Sequence, residues 1–252
     1  MTWLLTLAFD GTEYCGFQVQ PNGRSVAAAF QDGLEAVIGR RPDIKGCSRT
    51  DAGVHALGFA LSFEADLRIP PEKLPLALNT KLPRDIRVLK ARVVPDGFHA
   101  RYAAHTKTYL YRIHNSAIDS PFEERYYCRI PGRLDVARMQ QAAAGFVGTH
   151  DFLALCAAHS SAAAHGDTVR TITACGVERH GDTVEITVTA DGYLYNMVRI
   201  LAGTLCEAGA GRLDPAAVPA ILASRDRKNA GPTLPAKGLF LHHVDYGKEA
   251  EG

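Results

Sequence analysis

The spacing of apolar positions along the chain changes several times, and each change marks an element. Thr2 to Phe9 (TWLLTLAF) alternates as a strand does, and Asp10-Gly11 ends it with turn chemistry. Ser25 then stands as a helix cap. Behind it Val26, Phe30, Leu34, Val37 and Ile38 fall on one stripe, which predicts a helix to about residue 38. Two short strands are expected near 44–48 and 57–64, on either side of a Thr50-Asp51-Ala52-Gly53 turn. Pro70-Pro71 opens another helix, carrying Leu74, Ala77 and Leu78, and Ile86 to Val94 reads as a strand.

After Pro95 the same order returns. A strand is expected over 105–115, a helix over 134–146, strands over 170–179 and 183–189, a helix over 193–208 and a last strand over 239–245. The pattern β-α-β-β-α-β is thus used twice, which predicts an α+β protein made of two ferredoxin-like halves. Side by side they would form an extended, mainly antiparallel sheet with helices on one face and a central cleft. The halves are expected at 1–104 and 105–248, with a tail at 249–252. Segments 116–133, 147–168 and 229–238 look irregular, and Ala157 to Gly166 (AAHSSAAAHG) is the candidate mobile loop.

Composition narrows the class. The 252 residues are 46% hydrophobic and 22% charged with a formal net charge of +1, as in an ordinary soluble globular protein, which sets aside disorder, collagen and membrane spans. The six cysteines form no Cys-x-x-Cys pair, so no zinc site is expected, and the absence of a charged-then-apolar leader predicts a cytoplasmic protein with reduced thiols. Near-neutral charge argues against a general nucleic-acid binder, yet 20 of the 28 cations are arginines, the side chain that grips phosphate bidentately and stacks on bases. Codon bias explains that ratio equally well. Any RNA surface must therefore be a folded patch.

Nucleotide-binding glycine loops, the Gly-x-Ser-x-Gly elbow and His-Glu-x-x-His are all missing, which removes the usual signatures of redox, nucleotide-hydrolysing and zinc enzymes. What remains is the turn Ser48-Arg49-Thr50-Asp51-Ala52-Gly53-Val54-His55-Ala56. Small residues after Asp51 leave its carboxylate uncrowded, and Arg49 could keep it ionised for service as a nucleophile or base, although Asp before Ala-Gly is also common turn chemistry. In strand 105–115, period-2 alternation puts Lys107, Tyr109 and Tyr111 on one face, where they suit either base stacking or sheet packing. In helix 193–208, Arg199 points about 140° away from Leu194 and the apolar stripe, with Tyr195 one turn earlier as an aromatic neighbour. It reads as an active-site cation or as an ordinary solvated arginine.

Phe9-Asp10-Gly11, Gly16-Phe17-Gln18-Val19-Gln20, Arg49 through Ala56, Phe98-His99-Ala100-Arg101, Lys107 through Tyr111, Asn196-Met197-Val198-Arg199 and Pro235 through Leu239 follow one another in an order that resembles the tRNA pseudouridine synthase A family, from about residue 3 to 246. Ser48 departs from that family's usual Gly, and Phe59-Ala60-Leu61 from its usual Gln-Val; neither change removes a functional side chain.

The resemblance implies isomerisation of uridine to pseudouridine in the tRNA anticodon stem-loop, at tRNA positions 38, 39 and 40, by a cytoplasmic homodimer that needs no cofactor and no metal. Asp51 falls on the catalytic aspartate, which either attacks C1′ or removes a sugar proton to give a glycal. Tyr109 falls on the tyrosine that packs against the target base, Arg199 on an arginine near the aspartate, and Arg49 on one that assists base displacement and RNA contact. Two other readings stand beside this one: a non-catalytic RNA-binding module on a split βαβ platform, and the same chemistry on another RNA.

Overall fold

The computed structural model describes residues 1–21, 23–157 and 164–247. In chain order, the first part of the molecule forms β1 (Thr2–Phe9), α1 (Val26–Ile38), β2 (Ile44–Gly46), β3 (His55–Glu64), α2 (Leu74–Asn79) and β4 (Ile86–Val94). β1 lies between β3 and β4, antiparallel to both. Paired on both edges, it buries Trp3, Leu5 and Leu7, and the Trp3 indole N–H donates to Ala65 O at 3.0 Å. α1 starts where the pattern placed it: the Ser25 hydroxyl accepts from Ala28 N at 3.2 Å, and Gly39, at φ 71°, ends the helix in the left-handed region. Its stripe, Val26, Phe30 and Leu34, is fully buried, as are Leu74 and Leu78 of α2.

The outer edge of β3 changes partner along its length. Leu61, Ser62 and Phe63 pair antiparallel with β2, whereas His55 and Ala56 pair in parallel with Phe240 and Leu241 of the chain's last strand, Leu239–Asp245. The segment joining β2 to β3, which contains Asp51, therefore leaves the sheet where one partner gives way to the other.

The chain falls into two compact units, Met1–Lys107 with the chain from Phe240 on, and Thr108–Leu239. The unit boundaries thus lie at 107/108 and 239/240, and the last strand belongs with the first unit. The second unit carries β5 (Thr106–His114), β6 (Cys128–Arg129), α3 (Val136–Ala144), β7 (Gly148–Asp151), β8 (Val169–His180), β9 (Thr183–Ala190), α4 (Met197–Gly209) and α5 (Val218–Ser224); the last strand is β10. Its sheet runs β5-β9-β8-β7, with β8 antiparallel to both β7 and β9 and β6 a short parallel addition to β5. α3 packs on β8 and on α4. Both units combine helices with a mostly antiparallel sheet, so the α+β class expected from the sequence holds.

Several elements differ from the pattern. The helix expected over 193–208 begins at Met197, because Asn196 sits at φ 61°, a left-handed conformation that cannot continue a helix backwards. β6 and β7, two and four residues long, lie in segments expected to be irregular, and α5 was not anticipated. Residues 158–163 of the expected mobile loop and the 249–252 tail lie outside the described residues.

Candidate active site

The Asp51 turn is built mainly by backbone. Val54 N donates to Asp51 O at 3.2 Å, and Gly53 takes φ 75°, which closes a tight reversal. The segment after β1 braces it from outside. Gly53 N donates to Tyr14 O at 3.3 Å, and Phe17 N to Thr50 O at 3.2 Å. This approach requires glycine twice: a Cβ on Gly11 would lie 2.0 Å from Val54 O, and one on Gly16, at φ 96°, would lie 2.3 Å from Thr50 O. The Phe9-Asp10-Gly11 and Gly16-Phe17 motifs thus hold the Arg-Thr-Asp turn in place. Asp51 itself is partly exposed.

Two buried side chains support the turn from beneath. His55 is 1% exposed; its Nδ1 accepts from Gly11 N at 3.1 Å and lies 3.2 Å from Asp10 Oδ1, and its ring stacks on Phe240 with centroids 4.7 Å apart. Tyr14 donates its hydroxyl to Asp85 Oδ1 at 2.6 Å; burial, then that carboxylate, hold the phenol well above its ordinary range, so it acts as a neutral donor. Cys47, where β2 leaves the sheet, is fully buried and its thiol is pushed up to about 12 by desolvation. Neither Tyr14 nor His55 was singled out by sequence pattern, since single buried polar side chains have no period.

Arg49 is exposed and forms no ion pair among the described residues.

In the second unit, Tyr109 is 6% exposed and meets Tyr193 edge-on, ring centroids 4.9 Å apart at 80°. Lys107 and Tyr111, expected on the same face, are also buried; the Tyr111 hydroxyl donates to Pro235 O at 2.8 Å. Arg199 is half-buried. Its Nε donates to Leu234 O at 2.7 Å and its Nη1 to Asn196 Oδ1 at 2.8 Å, so the guanidinium joins the Asn-Met-Val-Arg motif to Leu234, the residue just before the Pro235-to-Leu239 motif. The expected Tyr195 pairing one turn before it does not arise on the helix, because α4 starts after Tyr195. Gly238 lets the second motif pass β5, where a Cβ would lie 2.8 Å from Arg112 O.

The tRNA pseudouridine synthase family matches residues 6–103 and 142–247 of this chain. Among its curated relatives, the tRNA pseudouridine synthase A of Moorella thermoacetica is 46% identical over 244 residues, covering 96% of this chain and 98% of its own length. Those of Caldicellulosiruptor saccharolyticus and Bacillus pumilus are each 42% identical over 96% of this chain and 98% and 97% of theirs. A solved Cbf5-Nop10-Gar1 complex covers 98% of this chain and 59% of its own at TM-score 0.38 and 11% identity, a likeness too slight to carry more. The chain belongs to the tRNA pseudouridine synthase family.

Proposed function

We propose that the protein isomerises uridine to pseudouridine in the anticodon stem-loop of tRNA, at positions 38, 39 and 40, with Asp51 as the catalytic carboxylate. It is an isomerase, and tRNA is its substrate. The reaction breaks the C1′–N1 bond, turns the uracil and joins C5 to C1′; N1 takes up a proton and the C5 hydrogen leaves to water, so nothing is oxidised and nothing added. A carboxylate at the ribose serves this chemistry as it does in retaining glycosidases. The observation that carries the reading is the partly exposed Asp51 on a turn fixed by main-chain bonds, within a chain whose family is shown. Preorganised backbone supports a group that must meet its target without reorganising.

A uridine in a stem must leave its stack first, at a cost of a few kcal/mol. Tyr109 would return part of this by stacking on the extruded base, worth about 1–3 kcal/mol. Arg199, fixed at two of its nitrogens, serves the aspartate and the nucleotide, and exposed Arg49 serves RNA contact and base displacement. By its family resemblance the protein works as a homodimer in the cytoplasm. Separately, no described helix is long and apolar enough to cross a membrane.

The test is tritium release from [5-³H]uridine tRNA, with the modified nucleotide located by reverse transcription after carbodiimide treatment. Asp51→Asn should abolish release while tRNA affinity stays within a few fold. Undiminished release from that variant refutes the assignment. Wild-type binding without any release supports the non-catalytic module instead, and a product mapped outside tRNA supports a different RNA.

A further inference from the structure

With a net charge of only +1, this chain cannot hold RNA by a general basic excess, so phosphate contacts must be concentrated locally. The first unit carries an open groove of about 400 Å³ between α1 and the link from α2 to β4, lined among others by Arg24, Ala28, Asp32, Lys81, Leu82 and Pro83. Small residues make its helical wall flat. Gly33 brings α1 hard against the link, where a Cβ would meet Leu82 Cδ2 at 2.6 Å.

The charge open to a ligand here is positive. Arg24 is held in place: its guanidinium carbon lies 4.7 Å from the Tyr14 ring centroid, and Nη1 is 3.9 Å from Asp85 Oδ2. Its side chain remains 52% exposed. Lys81 is exposed and forms no ion pair among the described residues. The acid of the wall, Asp32, is engaged by Arg41 at 2.6 Å. A guanidinium propped on an aromatic ring beside an unpaired ammonium suits a phosphodiester, whose spread charge takes both a fork and a point donor.

The groove is also tied to the Asp51 turn. Tyr14, under the Arg24 guanidinium, accepts from Gly53 N through its own carbonyl, and the next residue, Cys15, donates its N–H to Arg24 O at 2.9 Å. We propose that Arg24 and Lys81 form a phosphate subsite that grips the tRNA backbone flanking the uridine presented to Asp51. This rests on the function proposed above and adds the means by which a near-neutral protein anchors its substrate.

The test measures tRNA affinity over a range of KCl concentrations for the wild type, Lys81→Gln and Arg24→Gln/Lys81→Gln. Removing one cation from a phosphate should lower the slope of log K against log[salt] by about 0.9, so the single variant should fall by about one unit and the double by about two. Tritium release should show a raised KM, about tenfold for the double variant, with kcat at saturating tRNA within about threefold. Lys81→Gln guards against a folding artefact, since Lys81 supports no other side chain; its melting temperature should match the wild type. Unchanged slopes in both variants, with wild-type release intact, overturn the subsite alone. Wild-type protein that binds no tRNA overturns the function itself, and the subsite with it.

Discussion

Gly16 shows how a residue remote in sequence can fix the turn that carries Asp51, the proposed catalytic carboxylate. Its positive φ and its approach to Thr50 O leave no space for a side chain, and Thr50 immediately precedes Asp51. Gly16→Ala should therefore cost about 1–3 kcal/mol of stability by backbone strain and lower the tritium-release rate at least tenfold, because relief comes from moving the turn. Denaturant unfolding and the release assay on one preparation check both; a rate that is unchanged despite reduced stability shows the turn tolerates the shift. The sequence motifs contain Gly11 and Gly16, but their reason was not legible: the approach crosses the fold to Val54 and Thr50. The small residues after Asp51 drew attention to its turn, but Asp before Ala-Gly is also common turn chemistry, and the family resemblance is what made it the candidate. Arg199 was legible as outside the apolar stripe, and its bond to Leu234 O was not, since no local rule links residues 35 apart.

At the scale of elements, periodicity found what is long enough to show a period. α1, β1, β4 and β10 lie where the apolar pattern set them, and Ser25 caps as expected. β6, β7 and α5 escaped because two to seven residues hold too few repeats, and α5 also carries Pro219 in its first turn. The start of α4 was misplaced for another reason. Tyr193-Leu194-Tyr195 continues the helical spacing of apolar residues, and only the left-handed Asn196 stops the helix. Asn is among the residues that tolerate this conformation, and here its side chain also accepts from Arg199. Asn196→Gly keeps the backbone relaxed and removes the acceptor, so it should retain the melting temperature within a few degrees while the rate falls. Asn196→Ala should lower both, by about 1 kcal/mol in stability. Equal melting temperatures in the two variants would count against conformational strain at this position.

For the whole molecule, the two-fold repeat of β-α-β-β-α-β order made the α+β class readable. The unit boundaries were less so, because the last strand pairs with β3 at just two residues and no composition shift marks the exchange. Thiol chemistry gives a global test of packing. Cys47, Cys128, Cys156 and Cys206 are buried, and desolvation raises the Cys47 and Cys175 thiols to about 12 and lifts Cys206 further, which leaves exposed Cys15 as the reactive thiol. Native protein should release about one equivalent of thionitrobenzoate promptly from Ellman's reagent, and all six thiols should react in denaturant. Prompt reaction of two or more would mean a looser core than the structure shows.

The partner change along β3 has a consequence for how this enzyme is made. The near end of β3, with His55 under the ring of Phe240, is finished by residues translated some 185 positions later. A nascent chain emerging from the ribosome can therefore assemble β1, β3 and β4 early, yet its aspartate turn stays unsupported on that side until synthesis is nearly over. Premature termination anywhere in the second unit yields a product lacking this closure, so an incomplete polypeptide leaves its Asp51 turn without the support of Phe240.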